Sequence, residues 1–192
     1  GGYIKASHDG KQVFMGGHVA GADYNPGEGY LTIINAENND NIDAIIPIGD
    51  THSSSVNVAE YMMDMSGMQH EMHKILIPST ERGGEKDVLK IIDMHDVDLA
   101  TGALKSDKEV ATVIIGPGGR HRNGKVSSDG LRAYYPNGGD CGDGTADPGP
   151  DCNTIAIVDM TSNSLVKKVE TEGAAPGNVG IISAHDATPH QH

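Results

Sequence analysis

Residues 126–138 read VSSDGLRAYYPNG, and residues 153–163 read NTIAIVDMTSN. The first stretch sets an Asp-Gly turn before a short run with two Tyr, and the second is rich in β-branched residues and ends in turn formers. Short runs of this composition, bounded by turn residues, are typical of β-strands. The two stretches therefore predict a turn followed by two strands.

Two markers from these stretches recur along the chain. A β-type run ends in an Asn or Asp at Asn35, Asp93 and Asp159, which are nearly evenly spaced. The turn at 127–130 has a counterpart at 7–10 and a looser one at 184–187. Each repeat carries four β-type runs, and four strands per repeat at a fixed period favour the blades of a β-propeller.

The same residues resemble the YVTN-type propeller repeat, whose pattern combines an Asp-Gly turn, a tyrosine-containing strand and an N-T-V-S-V-I-D run. The third repeat matches this pattern well, and the first matches it in outline. The second departs from it, with an enlarged first turn and Pro78-Ser79-Thr80 in place of an Asn-Gly step. The resemblance implies an all-β fold with four antiparallel strands per blade, and it says little about function.

The phase of the repeat predicts a single propeller segment over 1–192. Its blades span approximately 1–50, 51–118 and 119–176, followed by the inner strand of a further blade. Closed propellers have about four to eight blades. We therefore expect an incomplete ring of about three blades, completed by the remaining blades of a longer chain or by a protein partner.

The composition restricts the possible partners. A net charge of -13 argues against nucleic acid, because phosphate binding needs clustered Lys and Arg. The same charge fits cation sites, or simply a soluble acidic protein. No apolar run reaches the roughly 18 residues of a membrane span, so none is predicted.

The two cysteines, Cys141 and Cys152, bracket a polar loop that has little else to hold it. This arrangement predicts a disulfide, and with it a periplasmic, secreted or cell-surface location. A reduced cytosolic pair is the alternative. The loop also presents four carboxylates as candidate calcium ligands, unless it is only a solvated acidic loop. They are Asp140, Asp143, Asp147 and Asp151.

Residues 62–73 hold five of the eight Met and two of the ten His. Thioether and imidazole groups together suit copper, especially Cu(I). The candidate ligands are Met65, Met68, His70, Met72 and His73. His70 and His73 are close enough to share an ion in a turn or a helix. The alternative is a short helix whose Met side chains only fill packing gaps.

His52 and His121 each follow a fourth strand and precede an inner strand. Inner strands line the channel of a propeller, so these two side chains are expected to converge near the axis, with His18 in a loop on the same face. The next equivalent position, Pro176-Gly177, has no His, which weakens the case for an axial metal site.

The sequence supports three hypotheses about function, two with a bound metal or redox centre and one without. The first is an extracytoplasmic metal-binding propeller, carrying calcium or copper, that acts as a binding or assembly subunit. The alternative is a propeller oxidoreductase or electron-transfer subunit with a His-ligated copper or other redox centre near the axis. The third is a scaffold without an ion. No catalytic motif is present, so the sequence favours a non-enzymatic role and leaves catalytic residues unassigned.

Overall fold

The computed structural model describes residues 4–18, 28–38, 41–53, 55–81, 86–117, 123–137 and 153–171. Within these ranges the chain is almost entirely β, with one 3-10 turn at Met94–Asp96 and no α-helix, so no helix there is long and apolar enough to span a membrane. In chain order the strands are β1 (Ile4–Ala6), β2 (Gln12–His18), β3 (Glu28–Asn35), β4 (Asn41–Ser53), β5 (Asn57–Met65), β6 (Met68–Glu81), β7 (Lys86–Asp93), β8 (Val97–Asp98), β9 (Ala103–Leu104), β10 (Ala111–Pro117), β11 (Lys125–Val126), β12 (Arg132–Asn137), β13 (Thr154–Asp159) and β14 (Ser164–Glu170).

Twelve of these fourteen strands form three antiparallel groups of four, which we call blades 1, 2 and 3. Blade 1 has the order β1-β2-β3-β4, blade 2 the order β5-β6-β7-β10, and blade 3 the order β11-β12-β13-β14. The end of β4 also pairs with β6, which joins blades 1 and 2. The short hairpin β8-β9 lies between β7 and β10. This architecture confirms the predicted all-β fold of propeller blades.

The Asp-Gly turns of blades 1 and 3 contain the same hydrogen bonds. The Ser7 hydroxyl donates to Asp9 Oδ1 at 2.6 Å and accepts from the Gln12 N–H at 3.0 Å. In the turn 127–132 the equivalent distances are 2.5 and 2.9 Å. The turn marker in the sequence therefore corresponds to the same turn geometry in both blades.

The second marker ends the third strand of each blade. Its side-chain oxygen accepts a hydrogen bond from the backbone N–H two residues later, at 3.0 Å for Asn35, 3.0 Å for Asp93 and 2.8 Å for Asp159. Such a bond turns the chain out of the strand. The first sequence marker is thus the turn that precedes the second strand of a blade, and the second marker is the turn that follows the third strand.

The middle sheet, blade 2, is buried on both faces. In β6, Ile75 and Ile77 pack into a core shared with Phe14 and other side chains of blade 1. Leu76 points the other way, into a core shared with Tyr135 and its neighbours in blade 3. Successive side chains of a strand alternate between faces. A strand covered on both faces therefore reads as the continuous apolar run seen at 75–77.

The outer faces of blades 1 and 3 have no such cover among the described residues. On blade 1, Ile4 and Met15 are cross-strand partners, and Ile4 is 65% exposed. On blade 3, Ile155 and Ile157 alternate with the inward-facing residues of β13 and remain half-buried. These partly apolar faces fit the need for further blades beside both sheets.

One contact between blades is unusually close. Gly10 and Gly130 occupy equivalent turn positions with φ values of 73° and 72°. A Cβ built at Gly130 would overlap the carbonyl oxygen of Glu60 in β5. A Cβ built at Gly10 has no described atom within 4 Å. The blade 3 turn therefore lies directly against blade 2, whereas the blade 1 turn has space around this position.

This difference gives a matched pair of variants. Gly10→Ala should cost about 1 to 2 kcal/mol of unfolding free energy, because Ala disfavours positive φ. Gly130→Ala carries the same penalty and adds a steric overlap worth about 1 to 3 kcal/mol. Urea unfolding of both variants measures the difference, and equal losses would contradict the close contact between the blade 3 turn and β5.

Candidate functional site

Blade 2 differs from its neighbours at the connection between its first two strands. Residues 8–11 and 128–131 make this connection in blades 1 and 3. In blade 2, Ala59 of β5 and Lys74 of β6 correspond to the residues that flank these short connections. The two strands do not end there, and residues 60–73 continue as a paired hairpin. We call residues 60–73 the arm.

The tip of the arm is the turn Ser66-Gly67, with φ values of 59° and 81°. Two successive positive φ angles are typical of the type I′ turn, whose twist matches that of the strands it joins. The Gly67 N–H donates to Asp64 Oδ1 at 2.8 Å. The tip is therefore built as a tight hairpin turn.

This hairpin corrects our interpretation of residues 62–73, which considered a turn or a helix. Both strands continue through the segment, and their period of two places His70 and His73 on opposite faces. The predicted sharing of one ion by these two side chains is therefore wrong. A Ser-Gly pair between two runs of equal length was the available signal for a hairpin.

One face of the arm, on the side of blade 3, carries thioether and imidazole groups. Cross-strand partners lie on the same face with their Cβ atoms about 4.5–5.5 Å apart. Met63 is opposite His70, Met65 is opposite Met68, and Met72 follows on the same face. We call these side chains the soft face: Met63, Met65, Met68, His70 and Met72.

The soft face changes from packed to open along its length. Met63 and Met72 pack against the core between blades 2 and 3. Met65 and Met68, next to the tip, are 49% and 63% exposed. Thioethers at the tip are therefore accessible from solvent, while those at the base are held by the blades.

The opposite face of the arm, towards blade 1, carries acidic groups. His73 lies between two of them, with Nδ1 3.5 Å from Glu60 Oε1 and Nε2 3.7 Å from Glu71 Oε2. The Glu60 oxygen also accepts a hydrogen bond from the backbone N–H of His8 at 3.2 Å. We call this the acidic face, and its base is attached to the turn of blade 1.

The base of the arm is attached to blade 3 by two buried side chains. The Tyr61 hydroxyl donates to the Met160 carbonyl at 2.9 Å, and Lys74 Nζ donates to the same carbonyl at 2.6 Å and to Asn163 Oδ1 at 2.8 Å. Burial raises the pKa of Tyr61 to about 12 and lowers the pKa of Lys74. The arm thus leaves the propeller from a fixed base.

The three predicted axial ligands are only partly covered by the described residues. His18 ends β2 opposite Gly29 and is half-buried. His52 lies within β4 and does not follow the fourth strand as predicted, and its backbone pairs with Thr80. His121 lies outside the described residues, so the axial metal site stays a prediction.

The predicted calcium loop and disulfide also lie outside the described residues. They comprise Asp140, Asp143, Asp147, Asp151, Cys141 and Cys152. Within the described ranges, no group of three or more His, Cys, Asp or Glu side chains is placed to hold a metal ion. The soft face depends mainly on Met, which is a different kind of ligand.

Sequence reasoning did not find a cavity between the arm and blade 1. Its lining comes from the blade 1 turn, β2, the base of the arm and the segment after β7. These segments are far apart in the sequence and share no motif, so no local pattern could have predicted that they meet.

No protein-family model matches the chain, and no curated protein matches it. Among solved structures it is similar to dihydro-heme d1 dehydrogenase NirN in complex with DHE, with a TM-score of 0.50 and 13% identity. It is also similar to hydrazine synthase of Kuenenia stuttgartiensis, with a TM-score of 0.50 and 14% identity. Both are β-propeller-type proteins, so the similarity shows the fold.

The matches cover 88% and 83% of this chain. They cover 28% of the first solved chain and 39% of the second, so this chain spans well under half the length of either. The likeness in structure is therefore to part of a larger propeller protein in each case.

The attachment of the arm to blade 3 predicts the effect of Tyr61→Phe. At neutral pH the variant should lose about 1 kcal/mol of unfolding free energy, the usual net value of one hydrogen bond. Tyr134→Phe is the control, because the Tyr134 hydroxyl bonds to no described residue. Equal losses in the two variants would contradict the attachment.

The raised pKa of Tyr61 predicts that the stability of the folded protein depends on pH. The pKa of Tyr61 in the folded protein, about 12, exceeds the value of about 10 in the unfolded chain. Between these values the unfolded chain binds fewer protons, so the stability conferred by Tyr61 is full below pH 10 and is lost as the pH rises towards 12. Ultraviolet titration should show that Tyr61→Phe removes one late-ionising phenol, and loss of a phenol that ionises near pH 10 would contradict the burial.

Proposed function

We propose that this protein is a metal-binding β-propeller that binds Cu(I) on the soft face of its arm and acts as a binding or assembly subunit. The observation that carries the proposal is the placement of Met63, Met65, Met68, His70 and Met72 on one face of one hairpin. Thioethers are soft ligands that select Cu(I), and imidazole also binds copper.

The alternation of the strands favours this selectivity. The acidic groups of the arm, Glu60, Asp64 and Glu71, all fall on the opposite face. Hard cations such as Ca²⁺ and Mg²⁺ prefer oxygen ligands. The soft face offers no carboxylate from the arm, so its chemistry favours a soft ion over a hard one.

The backbone of the arm preorganises the proposed ligands for binding of an ion. The Ser66-Gly67 turn and the register of β5 with β6 fix the Cβ positions of the ligands. The flexible Met side chains then adjust the sulfur positions around the ion. A site on a fixed backbone loses less entropy on binding than a site on a loose loop.

The exposure of the tip favours binding over a buried redox centre. Met65 and Met68 leave large apolar groups in water, although Met usually fills gaps in a core. A ligand pair that is open to solvent allows an ion to be received and passed on. We therefore propose metal binding or delivery as the role of this face.

Three further parts of the proposal rest on the sequence. The acidic loop with Asp140, Asp143, Asp147 and Asp151 is proposed to hold calcium. The pair Cys141 and Cys152 supports a periplasmic, secreted or cell-surface location. Further blades, from a longer chain or a protein partner, are proposed to complete the ring.

The proposal predicts the effect of removing the exposed sulfurs. The double variant Met65→Leu/Met68→Leu keeps the apolar volume and should bind Cu(I) at least about tenfold more weakly, a loss of about 1.4 kcal/mol. Anaerobic titration against a chromogenic Cu(I) chelator measures the affinity. Both cysteines are replaced by Ser in every sample, because thiolates also bind Cu(I).

Met62→Leu is the matched control. It also removes an exposed Met from the arm, but from the acidic face, and should leave the affinity unchanged. Equal affinities of the double variant and the parent protein would overturn the proposal, as would equal losses in the double variant and the control. In that case the soft face would be only a packing or docking surface.

A further inference from the structure

The cavity between the arm and blade 1 has a volume of about 360 Å³. It lies on the acidic side of the arm, away from the soft face. Its lining includes residues of the turn 7–9 and of the segment that carries Met94 and Leu99. Cavities that bind small ligands typically measure about 300–1,000 Å³.

The floor of the cavity is apolar. Phe14, Val58 and Ile75 come from the core between blades 1 and 2. Met94 and Leu99 extend this surface, and Leu99 is 42% exposed. An apolar ligand surface placed on this floor would be removed from water, which favours binding.

The wall of the cavity is acidic. Asp9, Glu60 and Glu71 line it together with His8 and His73, and no Lys or Arg appears among the described lining residues. Hydrogen bonding to Ser7 is the main cause that lowers the pKa of Asp9. The wall therefore combines several carboxylates with two imidazoles and no permanent positive charge.

The carboxylates keep capacity for a ligand. Glu60 Oε1 accepts from the His8 N–H at 3.2 Å and lies 3.5 Å from His73 Nδ1. A carboxylate has about four acceptor positions on its two oxygens. Glu71 meets His73 at 3.7 Å, longer than an ordinary hydrogen bond. Glu60 is therefore held by the His8 N–H while it keeps further acceptor positions, and Glu71, whose side chain is 64% exposed, keeps its acceptor positions open to a ligand.

We propose that this cavity binds a small organic cation, an ammonium group attached to an apolar body. The ammonium would donate charge-assisted hydrogen bonds to Glu60 and Glu71. The apolar body would lie against Phe14 and Leu99. The acidic wall disfavours an anion. This inference is independent of the Cu(I) proposal, because it uses the opposite face of the arm.

Three probes of similar shape test the charge preference: 2-phenylethylammonium, 2-phenylethanol and 3-phenylpropionate. Calorimetric titration of the full chain should show binding of the ammonium compound and at least about tenfold weaker binding of the alcohol. The carboxylate should not bind detectably. Equal binding of the ammonium compound and the alcohol would overturn the proposal, as would a preference for the carboxylate or no binding of the ammonium compound.

Substitutions distinguish the contribution of the acidic wall to binding from that of the apolar floor. Glu60→Gln and Glu71→Gln should each weaken binding of the ammonium compound and reduce its preference over the alcohol. Glu71 is exposed, so its variant keeps the fold even where Glu60→Gln does not. Glu170→Gln, at an exposed position on blade 3, is the matched control for the lost charge.

A substitution in the apolar floor should weaken binding without changing the preference for the ammonium compound. Leu99→Ala should weaken binding of the ammonium compound and the alcohol by similar factors, because it removes apolar contact and no charge. If Glu71→Gln and Glu170→Gln had the same effect on binding of the ammonium compound, the cavity would not be the binding site and the proposal would fail.

Discussion

The register of β5 with β6 is the constraint that connects the core to both candidate sites. Within the blade, this register turns Ile75 towards blade 1 and Leu76 towards blade 3, and burial of both faces holds it in place. A slip of one residue would exchange the two faces of a strand. The same pairing continues into the arm, where it directs His73 towards blade 1 and His70 towards blade 3. The apolar core therefore determines which chemistry each side of the arm presents.

Two buried polar side chains set the position of the arm against blade 3. Lys74 and Tyr61 both donate to the carbonyl of Met160, and Lys74 Nζ lies 5.8 Å from the centre of the Tyr61 ring. Burying an ammonium group is costly unless its donors are satisfied. Hydrogen bonds are directional, so these contacts require the Met160 carbonyl to face Tyr61 and Lys74, a requirement that an apolar pair would not impose. We interpret them as contacts that fix how the two blades meet.

The sequence predicted the blades because their signals are local. The turns at 7–12 and 127–132, and the Asx oxygens that end the third strands, depend on residues close together in the chain. The arm was harder to predict because Met lies on both of its faces: Met62 is on the acidic face and Met63 on the soft face. No apolar alternation marks the strands there, and Met has no strong preference for β structure. The cavity could not be predicted at all, since Phe14, Glu60 and Leu99 meet only through the packing of separate blades.

The placement of both candidate sites on one hairpin separates two kinds of ligand chemistry. Oxygen ligands beside the thioethers of the soft face would attract hard cations to it. A strand period of two keeps the carboxylates of the arm off the soft face within a segment only a few residues long, although one thioether, Met62, lies on the acidic face. Blades 1 and 3 have short turns at the same position, so both sites depend on an extension that blade 2 alone carries among the described blades. A propeller scaffold serves many functions, and here the candidate chemistry lies in the residues added to one blade and in their contacts with its two neighbours.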